Sequence, residues 1–370
     1  MKAIGIVFIL SVFLLFSQCG QPEHVQVQPP ATARNLKAVL KPLRTFLLDE
    51  HTYKIGRPRG AHKVNFTDQS SNLYLQDVKN YVYVKFDSMG NFRGMLGHKG
   101  RGPGEYVRPS YTATDNAGNI FIFDISRFVT IEYDSAGRFI NEFSYPTGVA
   151  GPGELFIGDS VRVISLYDFK GSDYFENVNL FHLLDKNFHI IKSINIDYPA
   201  IYKKFRLNNF LTTHFVVFRR RLLVNFMALP YIYEYDFAGR LLRRFGRKPD
   251  NFHIVNQPVA PDRDILKLAK FLSQFTGSYS FFPFKKKYLF YVYFNDSLPE
   301  VGHFKLFELE RYRRYYFVIY SVNGERIPAD SNQLPGMPLT CDRAGKLYVL
   351  LNNEPDHRKI GVYQIEIQPN

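Results

Sequence analysis

The chain has 370 residues, with 47 Lys and Arg against 34 Asp and Glu, a formal charge of +13, and 25 Tyr and 35 Phe but no Trp. So many aromatic residues exclude a disordered polyelectrolyte and suit a β-rich interior. Two cysteines, Cys19 and Cys341, exclude a disulfide framework.

The N-terminus reads as a targeting signal. Lys2 is followed by an apolar run from Ala3 to Phe16, too short to span a bilayer, which takes roughly 18–20 apolar residues, and suited to a secretory core. Phe16-Ser17-Gln18-Cys19 then resembles a bacterial lipoprotein signal, which implies that Cys19 is lipidated and becomes the mature N-terminus. Gln18 stands where such signals have a small residue, and Phe16 where they have Leu. Removing residues 1–18 takes Lys2 away and leaves a charge of +12. Gly20, rather than Asp, after the cysteine points to the outer membrane. Gln21 to Thr32 is rich in Gln and Pro without periodicity, so residues 19–42 are expected to form a flexible tether and 43–370 the folded part.

A phrase then recurs: an apolar strand, Asp, two residues, Gly, and another strand. It reads Asp87-Ser88-Met89-Gly90, Asp134-Ser135-Ala136-Gly137 and Asp236-Phe237-Ala238-Gly239, with weaker copies at Asp185-Lys186-Asn187 and Ser321-Val322-Asn323-Gly324. The Asp positions 87, 134, 185 and 236 step by 47, 51 and 51 residues. That period with several strands per unit predicts an all-β propeller of four-stranded antiparallel blades. The missing Trp excludes the WD type. Asp caps the turn and Gly accepts positive φ, so these Asp residues are punctuation rather than catalytic groups.

Six strand starts, at Asn72, Ile120, Val161, Arg221, Lys287 and Leu347, predict six blades. Two stretches break the pattern. Asp262 to Phe275, with apolar residues at helical spacing and Gly277 as a stop, predicts a short helical insertion. Leu298 to Tyr316 predicts a second insertion in the fifth blade, ending in the basic and aromatic run Arg311 to Tyr316. Residues 45–55 are expected to close the ring against Val362 to Ile367.

Between the first two units lies Gly97-His98-Lys99-Gly100-Arg101-Gly102-Pro103-Gly104-Glu105-Tyr106, and Gly151-Pro152-Gly153-Glu154-Leu155 repeats its end one blade later. Pro-Gly suits a type II turn, so each copy predicts a corner between the outer strand of one blade and the inner strand of the next. By this motif the chain, over roughly residues 43–370, resembles the six-bladed β-propeller lipoproteins of bacteria, relatives of the NHL-repeat propellers. The resemblance implies fold and location; that family mostly lacks an assigned activity. Outer-to-inner connections gather round one mouth of a propeller channel, so Arg101, Glu105, Arg108 and Glu154 are the candidate ligand-binding residues. Arg suits carboxylate or phosphate. The alternative is that each Glu bonds a backbone amide or a neighbouring Arg and locks blade to blade.

Enzyme motifs are weak. Gly100 to Gly104 lacks the Lys-Ser/Thr ending and helix of a phosphate loop, Gly158-Asp159-Ser160 precedes a strand rather than a helix, and no Gly-x-Ser-x-Gly elbow occurs. The ten His are scattered, with His182 and His189 alone able to face each other across a hairpin. No catalytic residue, metal site or cofactor is expected. The basic runs Arg219 to Arg221, Arg243-Arg244, Lys285 to Lys287 and Arg311 to Arg314 suit anionic glycans or lipid headgroups in an exported protein better than nucleic acid, or else are solvated strand edges. The reading is a membrane-tethered, non-enzymatic binding module of the bacterial envelope for a protein or anionic carbohydrate, monomeric or part of an envelope complex. The alternative is a metal-dependent lactonase- or lyase-like enzyme using some of His98, Glu105, Asp124, Glu154 and Asp159 in the channel.

Overall fold

A computed structural model describes residues 32–370 except 34, 56–63, 146–153, 159, 169–178, 208–211, 259–270 and 298–311. Six four-stranded antiparallel sheets follow one another along the chain and form the blades of a propeller. From inner to outer strand, blade 1 is Phe66–Thr67, Leu73–Asp77, Val82–Phe86 and Phe92–Leu96, and blade 2 is Pro109–Thr114, Ile120–Asp124, Val129–Tyr133 and Phe139–Ser144. Blade 3 comprises Leu155–Ile157, Arg162–Asp168, Asn179–Leu184 and Ile190–Asn195; blade 4 comprises Thr213–Phe218, Arg221–Phe226, Ile232–Tyr235 and Leu241–Phe245. Blade 5 is Gly277–Phe284, Tyr288–Asp296, Arg313–Ser321 and Arg326–Ile327.

Blade 6 joins the chain ends. Met337–Cys341, Lys346–Asn352 and Lys359–Pro369 are completed by the outer strand Leu36–Leu47, which pairs antiparallel from Leu36↔Pro369 to Leu47↔Lys359. The closing partner is the one expected, but its register is not: the strand starts nine residues before Thr45 and ends at Leu47. Residues 36–42, expected in the tether, are therefore part of the ring. Arg358, 3 % exposed, fixes the exit of this strand. It donates to Glu50 Oε2 at 2.5 Å, to Ile55 O at 3.2 Å and to Asn353 Oδ1 at 3.0 Å.

The burial pattern follows from radial stacking. Second strands are covered on both faces by neighbouring blades and read as continuous apolar runs, such as the fully buried Ile120-Phe121-Ile122-Phe123 and Tyr291-Val292-Tyr293. Outer strands have one solvated side, and Phe139, Ile140 and Ile191 remain exposed there. Broad Tyr and Phe rings fill the widening gap between wedges, as in the edge-on contact of Phe181 with Phe215 between blades 3 and 4.

The repeated Asp residues are turn caps. Asp87 Oδ1 accepts from the Met89 and Asn91 amides, Asp134 from Ala136 and Arg138, and Asp236 from Ala238 and Arg240. Gly90, Gly137 and Gly239 follow with φ of +91°, +85° and +85°. In the weaker copy Phe188 takes that position at +63°.

The helix expected over Asp262 to Phe275 falls largely outside the described residues, though Phe271 and Leu272 at its end are helical. A helix missed by the sequence reading joins blades 3 and 4 at Ala200–Phe205. Its six residues are too few to show periodicity; Pro199 before it and Lys203 and Lys204 in its last turn are the available signals. The start of the second insertion, residues 298–311, also lies outside. Its expected end is corrected: Arg313 to Tyr316 open the third strand of blade 5. Arg313 pairs there with both Asp296 oxygens at 2.7 and 2.9 Å and stacks on Phe294.

Replacing Arg358 with Ala strands the Glu50 carboxylate in the interior and is expected to destabilise the fold by about 3–5 kcal/mol. Glu50→Leu/Arg358→Met together should lose less, as read from urea denaturation midpoints.

Candidate functional site

Two ends of the channel must be distinguished. The connections from outer to inner strands stand at one end, and the turns from inner to second strands at the other.

At the first end, Gly97 to Arg108 links blades 1 and 2 and folds around Glu105. Its carboxylate accepts from the Gly102 amide at 2.6 Å and bonds His98 Nε2 at 2.9 Å. Any side chain at Gly100 would run into this carboxylate, with a Cβ placed 1.9 Å from Oε2. Gly104, at φ +73°, also lies too close to Phe139 for a larger residue. The Gly102 amide foremost, with His98 beside it, holds the Glu105 carboxyl below the usual carboxylate range against the opposing desolvation. Tyr106 is fully buried. Its hydroxyl accepts from the Tyr83 amide at 3.0 Å and donates to Leu96 O, while Tyr133 OH donates to Gly104 O at 2.9 Å. Asp124 at the end of a second strand accepts the amides of Val107, Arg108, Ser126 and Arg127. The whole segment is thus a joint between blades 1 and 2.

Glu154 is built inward in the same manner. Only 4 % exposed, it bonds His214 Nδ1 at 2.9 Å and accepts the Phe215 amide at 3.1 Å, tying blade 3 to blade 4. Arg101 and Arg108 are exposed. The structure therefore brings Arg101, Glu105 and Arg108 onto one connection, sets Glu154 at the start of blade 3, and engages both Glu side chains in joints; Gly151 to Gly153, expected as a second corner, lie outside the described residues.

The metal constellation considered from sequence does not assemble among the described residues, where no three His, Cys, Asp or Glu side chains converge on a point; Asp159 lies outside them. His182 and His189 do not face each other: His182 is buried against Ser193 Oγ and Leu166 O, and His189 sits in its turn on Asp185.

At the second end the channel opens into a cavity of about 370 Å³, lined by blades 1, 2, 3, 5 and 6. Phe66, Phe156 and Phe282 supply apolar wall, Thr67, Thr112 and Thr340 hydroxyl groups, and the Asp68, Asp115 and Asp342 turns the rim. Asp68 accepts from the Ser70 and Asn72 amides, Asp115 from Asn119 and Asp342 from Lys346. Cys341, expected as a small buried residue, is half-buried in this wall, where burial foremost and then Asp342 push its thiol well above the ordinary range and keep it protonated. Arg343 spans the rim: it donates to Thr114 O at 3.0 Å and to Asn116 Oδ1, both on blade 2, from its place on blade 6. Sequence reasoning missed this end because its residues come from turns scattered from Asn65 to Ala344.

Residues 59–349 match the model of a six-bladed beta-propeller family, DUF5128, and the chain belongs to that family. Among solved structures it is similar to a DUF4221 family member from Bacteroides vulgatus, 15 % identical, covering 91 % of this chain and 99 % of that one with a TM-score of 0.70. Weaker likenesses include a Bacteroides fragilis protein named as exported (14 % identity, 92 % and 98 % coverage, TM-score 0.49) and a gluconolactonase from Xanthomonas campestris (9 %, 92 % and 98 %, 0.47). At such identities the likeness shows the fold alone. No protein of curated function is a significant match to the sequence.

The Glu105 joint carries a pH signature. Its folded pKa is below the unfolded value of about 4.3, so its stabilisation is complete above that value and is lost as pH falls through the folded one. Glu105→Gln should lower the urea midpoint at pH 6 and narrow the difference between pH 6 and pH 3 relative to the parent protein.

Proposed function

We propose that the protein is a lipid-anchored, non-enzymatic binding module of the bacterial envelope whose ligand enters the channel at the turn end. The observation that carries this reading is the open cavity of about 370 Å³, within the size range of small-ligand sites. Its walls join aromatic rings to hydroxyl groups, a lining that suits an amphipathic ligand such as a sugar. At the opposite end, Arg101 and Arg108 are the groups left exposed to meet a protein partner or an acidic chain, because Glu105 and Glu154 already serve the joints. The kinship with NHL-repeat propellers belongs to this reading, supported by the placing of Gly97 to Tyr106 at a blade joint.

The anchor rests on Cys19 and the apolar run before it. Thr32 already bridges Arg326 of blade 5, so the 12 residues from Gly20 to Ala31 could reach at most roughly 40 Å from a membrane when extended. We place the protein at the outer membrane on the Gly20 signal.

A saccharide and metabolite library screened by thermal shift is expected to yield stabilising compounds, and their effect should vanish in Thr67→Trp, which fills the cavity, and in Ala344→Trp, which crowds its rim. Stabilisation persisting in both variants, or no stabilising compound, would overturn the channel reading. Cys19→Ser should abolish incorporation of labelled palmitate and release the protein from the membrane fraction; unchanged labelling would refute the anchor.

A further inference from the structure

The fold employs Arg243, Arg244 and Arg313, from two of the four basic runs, internally. Arg243 bonds Glu234 Oε2 at 2.5 Å and the carbonyls of Val322 and Asn323, pinning blade 4 to blade 5, and Arg244 lies over the rings of Tyr231 and Tyr233. Arg313 is taken by Asp296. The other two runs, Arg219 to Arg221 and Lys285 to Lys287, are exposed throughout. They are not strand edges. They form the inner-to-second-strand turns of blades 4 and 5, bracketed by the pairs Phe218↔Arg221 and Phe284↔Tyr288.

Arg343 holds the corresponding turn of blade 6, and the Lys285 amide donates to Arg343 O at 2.8 Å, docking the fifth turn against the sixth. Three consecutive blades thus present basic turns at one side of the mouth.

The backbone there is unusual. Arg219 and Arg220 have φ of +48° and +60°, and Lys285 and Lys286 +49° and +53°. Such left-handed pairs normally fall to Asn-Gly or Gly, because a larger side chain is strained in them. The same chain places Gly90, Gly137 and Gly239 in its outer hairpins. Backbone ease therefore does not account for paired Arg and Lys at the inner ones. Ion pairing does not either: Arg219, Arg220, Lys285, Lys286 and Arg343 have no carboxylate within salt-bridge distance among the described residues, and Arg221 reaches Glu234 only at 4.0 Å. Arg343 is held by two neutral acceptors, which a ligand carboxylate would outcompete through charge-assisted, two-pronged bonding.

We propose that this mouth recognises a carboxylated saccharide, a deepening that rests on the channel reading above. One sugar ring enters between the aromatic walls, Arg343 swings from Thr114 and Asn116 to its carboxylate, and the blade 4 and 5 turns gather the rest of the acidic chain. Asp68, Asp115 and Asp342 rim the same opening and disfavour densely charged phosphate or sulfate groups, so a single carboxylate per sugar fits better.

The test is calorimetric titration of the full mature protein, in detergent, with trigalacturonate and with a neutral galactose trisaccharide, at low and high salt. The acidic sugar should bind and the neutral one should not. Arg343→Ala should weaken binding at least about tenfold, Arg343→Lys less, and Arg219→Gln/Arg220→Gln/Lys286→Gln should flatten the salt dependence. No binding of the acidic trisaccharide, equal binding of the neutral one, or an unaltered affinity in Arg343→Ala overturns the inference. The two readings separate in Ala344→Trp, an exposed position where folding is not at risk. Binding lost there but kept in Arg343→Ala leaves the channel reading standing and removes the carboxylate one; binding kept in both Ala344→Trp and Thr67→Trp removes the channel itself.

Discussion

A ring of sheets holds only if its last wedge is fastened to its first, and in this chain a single antiparallel pairing does so. Leu36–Leu47 lies along Lys359–Pro369 as the outer strand of blade 6, so the two ends of the folded chain share one sheet. Without it the backbone of Lys359–Pro369 would present an open edge, and the wedges on either side would lose the neighbour that covers them. The buried Glu50–Arg358 pair stands where this strand leaves the sheet. Its effect is to fix where the strand ends, which sequence patterning by itself does not define.

The joints between blades then decide what the surface can offer. Carboxylates that would look like ligands in isolation are consumed by backbone amides. Glu105 is wrapped by its own glycines, Asp124 takes two amides of the connection before its blade and two of the turn that follows it, and Glu154 reaches from blade 3 into blade 4. Each satisfies a donor that would otherwise be buried without an acceptor. The turns at the other end have a different character. Acidic caps there satisfy their own turns, while exposed basic side chains of blades 4, 5 and 6 surround an open cavity, Lys285 and Arg343 resting on neutral backbone acceptors. Function, on this physical ground, concentrates where charge is left over after the fold is complete.

Much of the fold was legible beforehand because the repeats are local. Asp followed by Gly writes a hairpin within five residues, and Ile120 to Phe123 writes a strand buried on both faces, so blade number and order follow from the chain itself. The helix at Ala200–Phe205 escaped because one and a half turns show no period. Arg313 to Tyr316 looked like the end of an insertion because two charges precede two rings there, yet Asp296 and Phe294 absorb the Arg313 charge within a strand. The Gly-rich segment was identified correctly as a corner. Which of its two readings each Glu follows depended on partners such as His98 and His214, seven and 60 positions away.

What the sequence determined alone is the set of wedges: their period, their turns and their apolar second strands. Those features are encoded by neighbours a few residues apart, where backbone preference and side-chain alternation act directly. The tertiary structure decided the register of the closing strand, the inward engagement of Glu154, and the meeting of Arg343 with Thr114 across the channel mouth. Those depend on groups from 60 to more than 300 residues apart, and only the packed circle of blades brings them within bonding distance.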